Sequence, residues 1–392
     1  MNNTQARRLC HHLNVYLPFT VSSNTPLRLL IVLPSWVGDV VMATPTVRRI
    51  RDAMPGIFIG ALCRPGIDQL LSGNTLFDEL HIFQPHGVMA PKKAANKVRP
   101  RRYDTALLLT NSFSTALTTR LAFIPRRIGY NRDSRGMLLT DPIIPPRNPD
   151  KSWKLTPAVD YYWNVASHLL DQEPVDWSIH TPTNCVDLPL ALPSAAQMEL
   201  SASETDREKA IEVLRSAGIE PDQPYAILNP GGNNTAKRWP ADRFAKLADY
   251  LYTQHNLPVL INGSPPETEL VDEIIAAAET DPISLPKLGN TLGALKPIID
   301  GARIMITNDT GPRHIAAAFG TPLITLFGPT DPRWTTIPTH PMPDGSSSEI
   351  ILVADPDLPP SESANDHPER CAIDHITLEA VIRAADQYLA PA

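Results

Sequence analysis

Short apolar runs alternate with helical stretches along most of this chain, in two rounds. The first round predicts strands near 28–34, 56–62, 79–83 and 104–110, with helices near 39–54, 65–72, 112–122 and 156–171. The second opens with a helix at 204–217. Strands follow near 225–229, 258–262, 303–307 and 322–326, with helices near 241–254, 267–279, 291–300 and 312–319. Alternation of this kind builds a parallel, doubly wound sheet, because each crossover helix covers the sheet its flanking strands form. Two rounds in 392 residues therefore predict two α/β domains. The polar, proline-bearing stretch 172–203 reads as their connection. The expected division is an extension at 1–26, a first domain at 27–180, a linker at 181–203, a second domain at 204–376 and a final amphipathic helix within 377–392. There is no internal sequence repeat.

The longest apolar runs are strand-length, too short to cross a bilayer. The leader carries Arg7 and Arg8, but its apolar piece, Val15 to Val21, is broken by Pro18, so it lacks the core of a secretory signal. Cys10, Cys63, Cys185 and Cys371 are scattered without paired spacing, which argues against a zinc site or disulfide framework. A cytoplasmic protein is the expectation.

Charge is divided unevenly. Residues 1–160 hold 21 Lys and Arg against 10 Asp and Glu, whereas residues 161–392 hold 14 against 32. The positive half favours an anionic partner. Its cations cluster in Lys92, Lys93, Lys97, Arg99, Arg101 and Arg102, within a segment near 84–103 that reads as a long loop, and in Arg126, Arg127, Arg132 and Arg135. Nucleic acid, anionic lipid heads and a phosphorylated glycolipid are candidates, and a solvated loop is the plainer alternative. Aromatics available for base stacking are few, only Tyr103, Phe113, Phe123 and Tyr130, which weakens the nucleic-acid case.

Three strand–turn–helix corners carry the chemistry. In the first, Arg28 to Pro34 is a buried strand and Ser35-Trp36-Val37-Gly38-Asp39 turns the chain into a helix. Pro45 either kinks that helix or starts its regular part with Thr44 as cap. Asp39 is then a capping carboxylate or a general base at the mouth of the sheet. In the second, Tyr225 to Asn229 runs into Pro230-Gly231-Gly232, then Asn233-Asn234-Thr235-Ala236-Lys237-Arg238-Trp239-Pro240. Lys237 offers a mobile cation to a phosphate, or else belongs with Arg238 to a solvated surface pair. In the third, a strand ends at Asn308 and Asp309-Thr310-Gly311-Pro312-Arg313-His314 follows, with Gly311 read as N-cap and Pro312 as first helical residue. Free amides at Thr310 and Gly311, beyond a strand's carboxyl end, suit a phosphorylated ligand.

The chain has no G-x-G-x-x-G and no Walker A sequence, so the common dinucleotide and P-loop readings lack their fingerprints. Asp355-Pro356-Asp357 has the D-x-D form of some metal-dependent transferases, but it sits in a proline-rich loop far from the corners and reads as solvated.

Together, Pro34 to Asp39, Thr44-Pro45, Asn229-Pro230-Gly231, Ala236 to Pro240, Asn308 to Gly311 with His314, and Gly328-Pro329-Thr330-Asp331-Pro332 resemble the heptosyltransferases of glycosyltransferase family 9. The match is nearest to the lipopolysaccharide heptosyltransferase II branch and spans roughly residues 28–335. The chain departs from the family in its leader, in the basic segment near 84–103 and in a proline-rich stretch near 338–368. The resemblance implies a GT-B fold of two facing Rossmann-like domains, with the chain's end packing back across the first. It implies an ADP-heptose donor and a lipid A–inner-core acceptor, an anionic glycolipid reached peripherally at the cytoplasmic face of the inner membrane. Asp39 would take the acceptor's proton, with inversion at the anomeric carbon. Lys237 and the amides of Thr310 and Gly311 would meet the departing diphosphate without metal or other cofactor. Asn233, Asn234, Thr235, Ser264, Glu267, Asp309 and His314 would complete the donor site, and Lys92, Lys93, Arg101 and Arg102 the acceptor or membrane side. A monomer is expected, with no nucleic acid partner. Alternatives are a transferase or epimerase of this fold using another nucleotide sugar, and a non-catalytic nucleotide-sugar or glycolipid binding protein. Pure binding needs no base, so Asp39 together with Lys237 argues against the last.

Overall fold

The structure, a computed structural model, describes residues 27–390. The expected extension at 1–26 lies outside them. The first half builds one sheet from β1 (Arg28–Val32), β2 (Phe58–Cys63), β3 (Glu79–Ile82), β4 (Thr105–Leu108), β5 (Arg126–Tyr130) and β6 (Asp141–Ile143), in the order β3-β2-β1-β4-β5-β6. The second builds another from β7 (Ala226–Asn229), β8 (Val259–Ile261), β9 (Ile283–Ser284), β10 (Ile304–Asn308), β11 (Leu323–Phe327) and β12 (Glu349–Val353), in the order β9-β8-β7-β10-β11-β12. Every pair in both sheets is parallel. The two halves thus repeat one topology without repeating a sequence: two Rossmann-like domains. In each sheet the strand order reverses beside its first strand, between β1 and β4 and between β7 and β10. Such a switch point opens a crevice at the strands' carboxyl ends.

The helices are α1 (Val37–Ala53), α2 (Ile67–Leu71), α3 (Ala90–Val98), α4 (Phe113–Leu121), α5 (Ala158–Leu169), α6 (Glu204–Ser216), α7 (Ala241–His255), α8 (Thr268–Ala277), α9 (Leu292–Asp300), α10 (Gly311–Phe319) and α11 (Leu378–Leu389). None is long and apolar enough to cross a membrane. Pro45 neither breaks α1 nor starts it. The proline cannot donate to the Val41 carbonyl, and the Thr44 hydroxyl does so instead at 2.7 Å while accepting the Glu199 amide at 2.9 Å.

Three expectations change. The segment near 84–103 is not a long loop: α3 occupies its middle and buries Ala90, Ala94, Ala95 and Val98. Strands β5, β6, β9 and β12 join the sheets beyond those read from the sequence. The last helix does not pack back across the first half. Its Val381, Ala384 and Ala385 share a core with Trp239, Phe244 and Leu247 of the second half, and the Trp239 indole donates to the Ile376 carbonyl at 2.8 Å. The halves join instead where α10 packs on α1 and α9 on α2, over a continuous apolar core.

Candidate active site

Trp36, extended and without a side-chain cap bond, starts α1 and leaves Asp39 in its first turn. Asp39 is not used as a cap. Its Oδ1 accepts the Tyr162 hydroxyl of α5 at 2.8 Å. Burial raises its pKa, the Tyr162 bond pulls the other way, and the charge of Asp309 across the seam adds to the rise; the net is a carboxylate more basic than usual.

Opposite, β10 delivers Asp309 and α10 begins one residue earlier than expected, with Thr310 as N-cap and Gly311 first. The Thr310 hydroxyl does not cap the helix. It accepts the Asn229 side-chain amide at 2.9 Å, and among the described residues no side chain caps the start of α10. Asn229 also donates to Thr307 at 3.0 Å and accepts from Asn262 at 2.7 Å, while Asn308 donates to the Pro230 carbonyl at 2.7 Å. This buried amide network ties the ends of β7, β8 and β10 into one frame.

Asp309 accepts Lys237 Nζ at 2.9 Å on Oδ2 and Arg313 at 3.4 Å on Oδ1. Burial alone would raise its carboxyl, but Arg313 and Lys237 outweigh it and hold Asp309 below the usual carboxylate range. Arg313, quoted in the motif but given no role there, is fully buried. It forks onto Glu349 at 2.7 and 3.1 Å and reaches Thr335 at 3.0 Å. His314 sits in the seam, where a Cβ on Gly38 would collide with its ring. Burial, with Arg313 beside it, pushes the imidazole down to about 3, so it is neutral at ordinary pH, and its buried Nδ1 has no hydrogen-bond partner among the described residues.

Asn234 caps a turn over Thr235–Lys237 by accepting the Ala236 amide at 3.0 Å, and that turn aims Lys237 inward. Asn233 to Thr235 are exposed at the crevice. Glu267 clamps the loops after β7 and β8, accepting the Gly232 amide at 2.7 Å on one oxygen and the Ser264 amide and hydroxyl at 2.8 and 2.6 Å on the other. The expected donor residues therefore converge on one rim, with Ser264 and Glu267 already engaged with each other.

The positive half is less uniform than its sequence suggests. Arg126 pairs with Asp141 at 3.1 Å, Arg127 donates to the Ile124 and Leu138 carbonyls, and Arg135 is buried on the Tyr130 and Thr110 carbonyls. Arg132 instead lies over one ring of Trp153 at 3.8 Å, and Arg147 lies over the same ring at 3.7 Å. The four cations Lys92, Lys93, Arg101 and Arg102 do not form one patch. The first two begin α3, whereas Arg101 and Arg102 follow its far end, and Arg101 is paired with Glu79. Asp355 of the D-x-D triplet is engaged by Arg370 and by the Asp357 amide.

Tyr162, Arg147 and Trp153 had no signal in the sequence. Tyr162 lies 123 residues from its partner on a helix read only for its apolar pattern.

A family model described as glycosyltransferase family 9 (heptosyltransferase) matches residues 92–363. The chain is similar to lipopolysaccharide heptosyltransferase 2 of Escherichia coli (strain K12), at 28% identity over 325 residues, covering 80% of this chain and 86% of that protein. Among solved structures it is similar to the E. coli ADP-heptose LPS heptosyltransferase II, with a TM-score of 0.71 and 25% identity, covering 92% of this chain and 98% of that one. The family 9 glycosyl transferase from Veillonella parvula DSM 2008 shares the fold, with a TM-score of 0.73 at 23% identity, covering 94% and 99%.

Proposed function

The chain belongs to glycosyltransferase family 9, the heptosyltransferase family, and on that premise we propose that it transfers heptose from ADP-heptose to the inner core of a lipopolysaccharide acceptor. The names of its E. coli relatives support that donor and acceptor class. The observation that carries the reading is the pairing of two corners at facing switch points: Asp39 with Tyr162 on one side, Asp309 with Lys237 on the other.

Asp39 acts as general base on the acceptor hydroxyl. Its raised pKa makes it a better proton acceptor than an exposed aspartate, and general-base help is worth about 10²–10⁴-fold. Tyr162 positions its carboxylate. A single base facing the leaving group leads to in-line displacement with inversion. Lys237 and the uncapped amides of Thr310 and Gly311 stabilise the departing diphosphate, charge already in place where charge develops. Asp309 holds Lys237 there before the donor arrives. Asn233, Asn234 and Thr235 line the donor side; Ser264 and Glu267 shape the nucleoside end; neutral His314 offers hydrogen bonds rather than charge. No metal takes part. Arg132 and Arg147, both stacked on Trp153, suit the acceptor's anionic groups. The enzyme works in the cytoplasm, at the inner face of the inner membrane.

A donor screen with purified protein tests this reading. Release of ADP from ADP-heptose, dependent on a lipid A–inner-core acceptor and absent with UDP- and GDP-sugars, is expected. Release of UDP or GDP instead would overturn the donor.

A further inference from the structure

Parallel strands all end on one side of their sheet, so the chain leaving β3 emerges on the same rim as the Asp39 corner that follows β1. Residues 84–89 there are all exposed. Gly87 takes φ +67°, and the Ala90 amide bonds back to the Gly87 carbonyl at 3.1 Å. A β-carbon would strain that turn. The turn holds Val88 95% exposed, the most exposed large apolar side chain among the described residues, with Met89 52% exposed beside it.

One step into α3, Lys92 and Lys93 are exposed and have no ion-pair partner among the described residues. Of the segment's other cations, Lys97 and Arg99 donate to the Ile82 and Leu121 carbonyls and Arg101 to Glu79, while Arg102, also exposed and without an ion-pair partner among the described residues, stands past the far end of α3. Between residues 80 and 132 the sequence has ten Lys and Arg and a single acid, Asp104, which accepts the Leu27 and Arg28 amides.

A single exposed apolar side chain needs no explanation. Two consecutive ones, raised on a hydrogen-bonded turn beside two unpaired ammonium groups, match an anionic bilayer. Apolar side chains enter the boundary between headgroups and acyl chains, and cations stay on the headgroups. A nucleic acid or phosphorylated peptide would engage the lysines and leave Val88 and Met89 in water.

We propose that the Gly87–Lys93 corner is a membrane-docking element that inserts Val88 and Met89 into an anionic bilayer while Lys92 and Lys93 contact its headgroups. The proposal rests on the lipid-anchored acceptor of the reading above. It gives that acceptor a direction: docking lays the open rim of the first sheet, with Asp39, toward the surface.

The test is sedimentation of the full chain with phosphatidylcholine vesicles, with and without phosphatidylglycerol. Binding to the anionic vesicles is expected and should fall at least about tenfold in Val88→Ser/Met89→Ser. The salt dependence of what remains should match wild type, because exposed charges are screened within about 8 Å at physiological salt and the lysines are kept. Lys92→Ser/Lys93→Ser should weaken binding and flatten that dependence. The Val88→Trp variant should show a blue shift of its added indole emission on anionic vesicles. Wild-type binding by the Val88→Ser/Met89→Ser variant, or an unshifted emission from the Val88→Trp variant, would overturn the proposal. Transfer to a delipidated, water-soluble acceptor should be unchanged in Val88→Ser/Met89→Ser. If wild type binds anionic vesicles through this corner yet transfers nothing to that acceptor, the transferase reading fails and the docking element stands.

Discussion

The Tyr162 hydroxyl donates to Oδ1 of Asp39 at 2.8 Å, joining the first turn of α1 to α5 across 123 residues of chain. The bond lowers a carboxyl that burial raises. Tyr162→Phe removes the lowering contribution, so the Asp39 pKa rises further. Activity that needs the ionised carboxylate then moves its acid limb to higher pH. The pH profile of kcat/KM checks this. An unmoved acid limb would mean that Tyr162 does not tune the base.

Lys237 should matter for binding and for transfer alike. Its ammonium meets Asp309 at 2.9 Å and stands beside the amides of α10. Lys237→Ala is expected to weaken ADP binding by about 1.5–3 kcal/mol and to slow turnover. Titration calorimetry with ADP measures the first directly. Unchanged affinity would make Lys237 a surface residue held by Asp309 alone.

Activity should survive EDTA and gain nothing from Mg²⁺ or Mn²⁺. The site offers cations and amides where a hard divalent ion would want several carboxylate oxygens. Loss with EDTA and recovery with Mn²⁺ would contradict this and bring Asp355 and Asp357 back as ligands.

His314 gives a pH signature in stability. Its folded pKa, about 3, lies below the ordinary value near 6.5. Between those limits the unfolded chain binds a proton that the native chain does not, so stability falls as pH drops below about 6.5, by about 1.4 kcal/mol per unit. His314→Leu should lose that part of the slope. Urea unfolding of both proteins from pH 4.5 to 7 compares them; equal slopes would mean the buried ring is protonated in the native state.

Much of the fold was legible because β1, β4, β7, β10 and β11 are buried along their whole length or nearly so and read as unbroken apolar runs. β5 was hidden by Arg126 and Arg127 at its start, whose charges are met by Asp141 and by backbone carbonyls rather than by solvent. β6 carries Pro142 at a sheet edge, and β12 is an edge strand inside a proline-rich stretch. α3 was masked by Pro91 and its lysines, although Ala90, Ala94 and Val98 keep helical spacing on its buried face. In the site, Asp39, Lys237 and the α10 amides were readable because each follows a strand end and a turn. Tyr162, the Glu349 partner of Arg313 and the Trp153 platform were not, since each depends on a contact that only the folded chain makes. The final helix was misplaced because its amphipathic pattern shows that it packs, not on what.

The most direct test is Asp39→Asn, which keeps the shape of the side chain and removes its charge. The account predicts turnover reduced by about 10²–10⁴-fold, ADP affinity within a few-fold of wild type and an unchanged thermal transition. Turnover within a few-fold of wild type in the folded variant would contradict the assignment of Asp39 as the base.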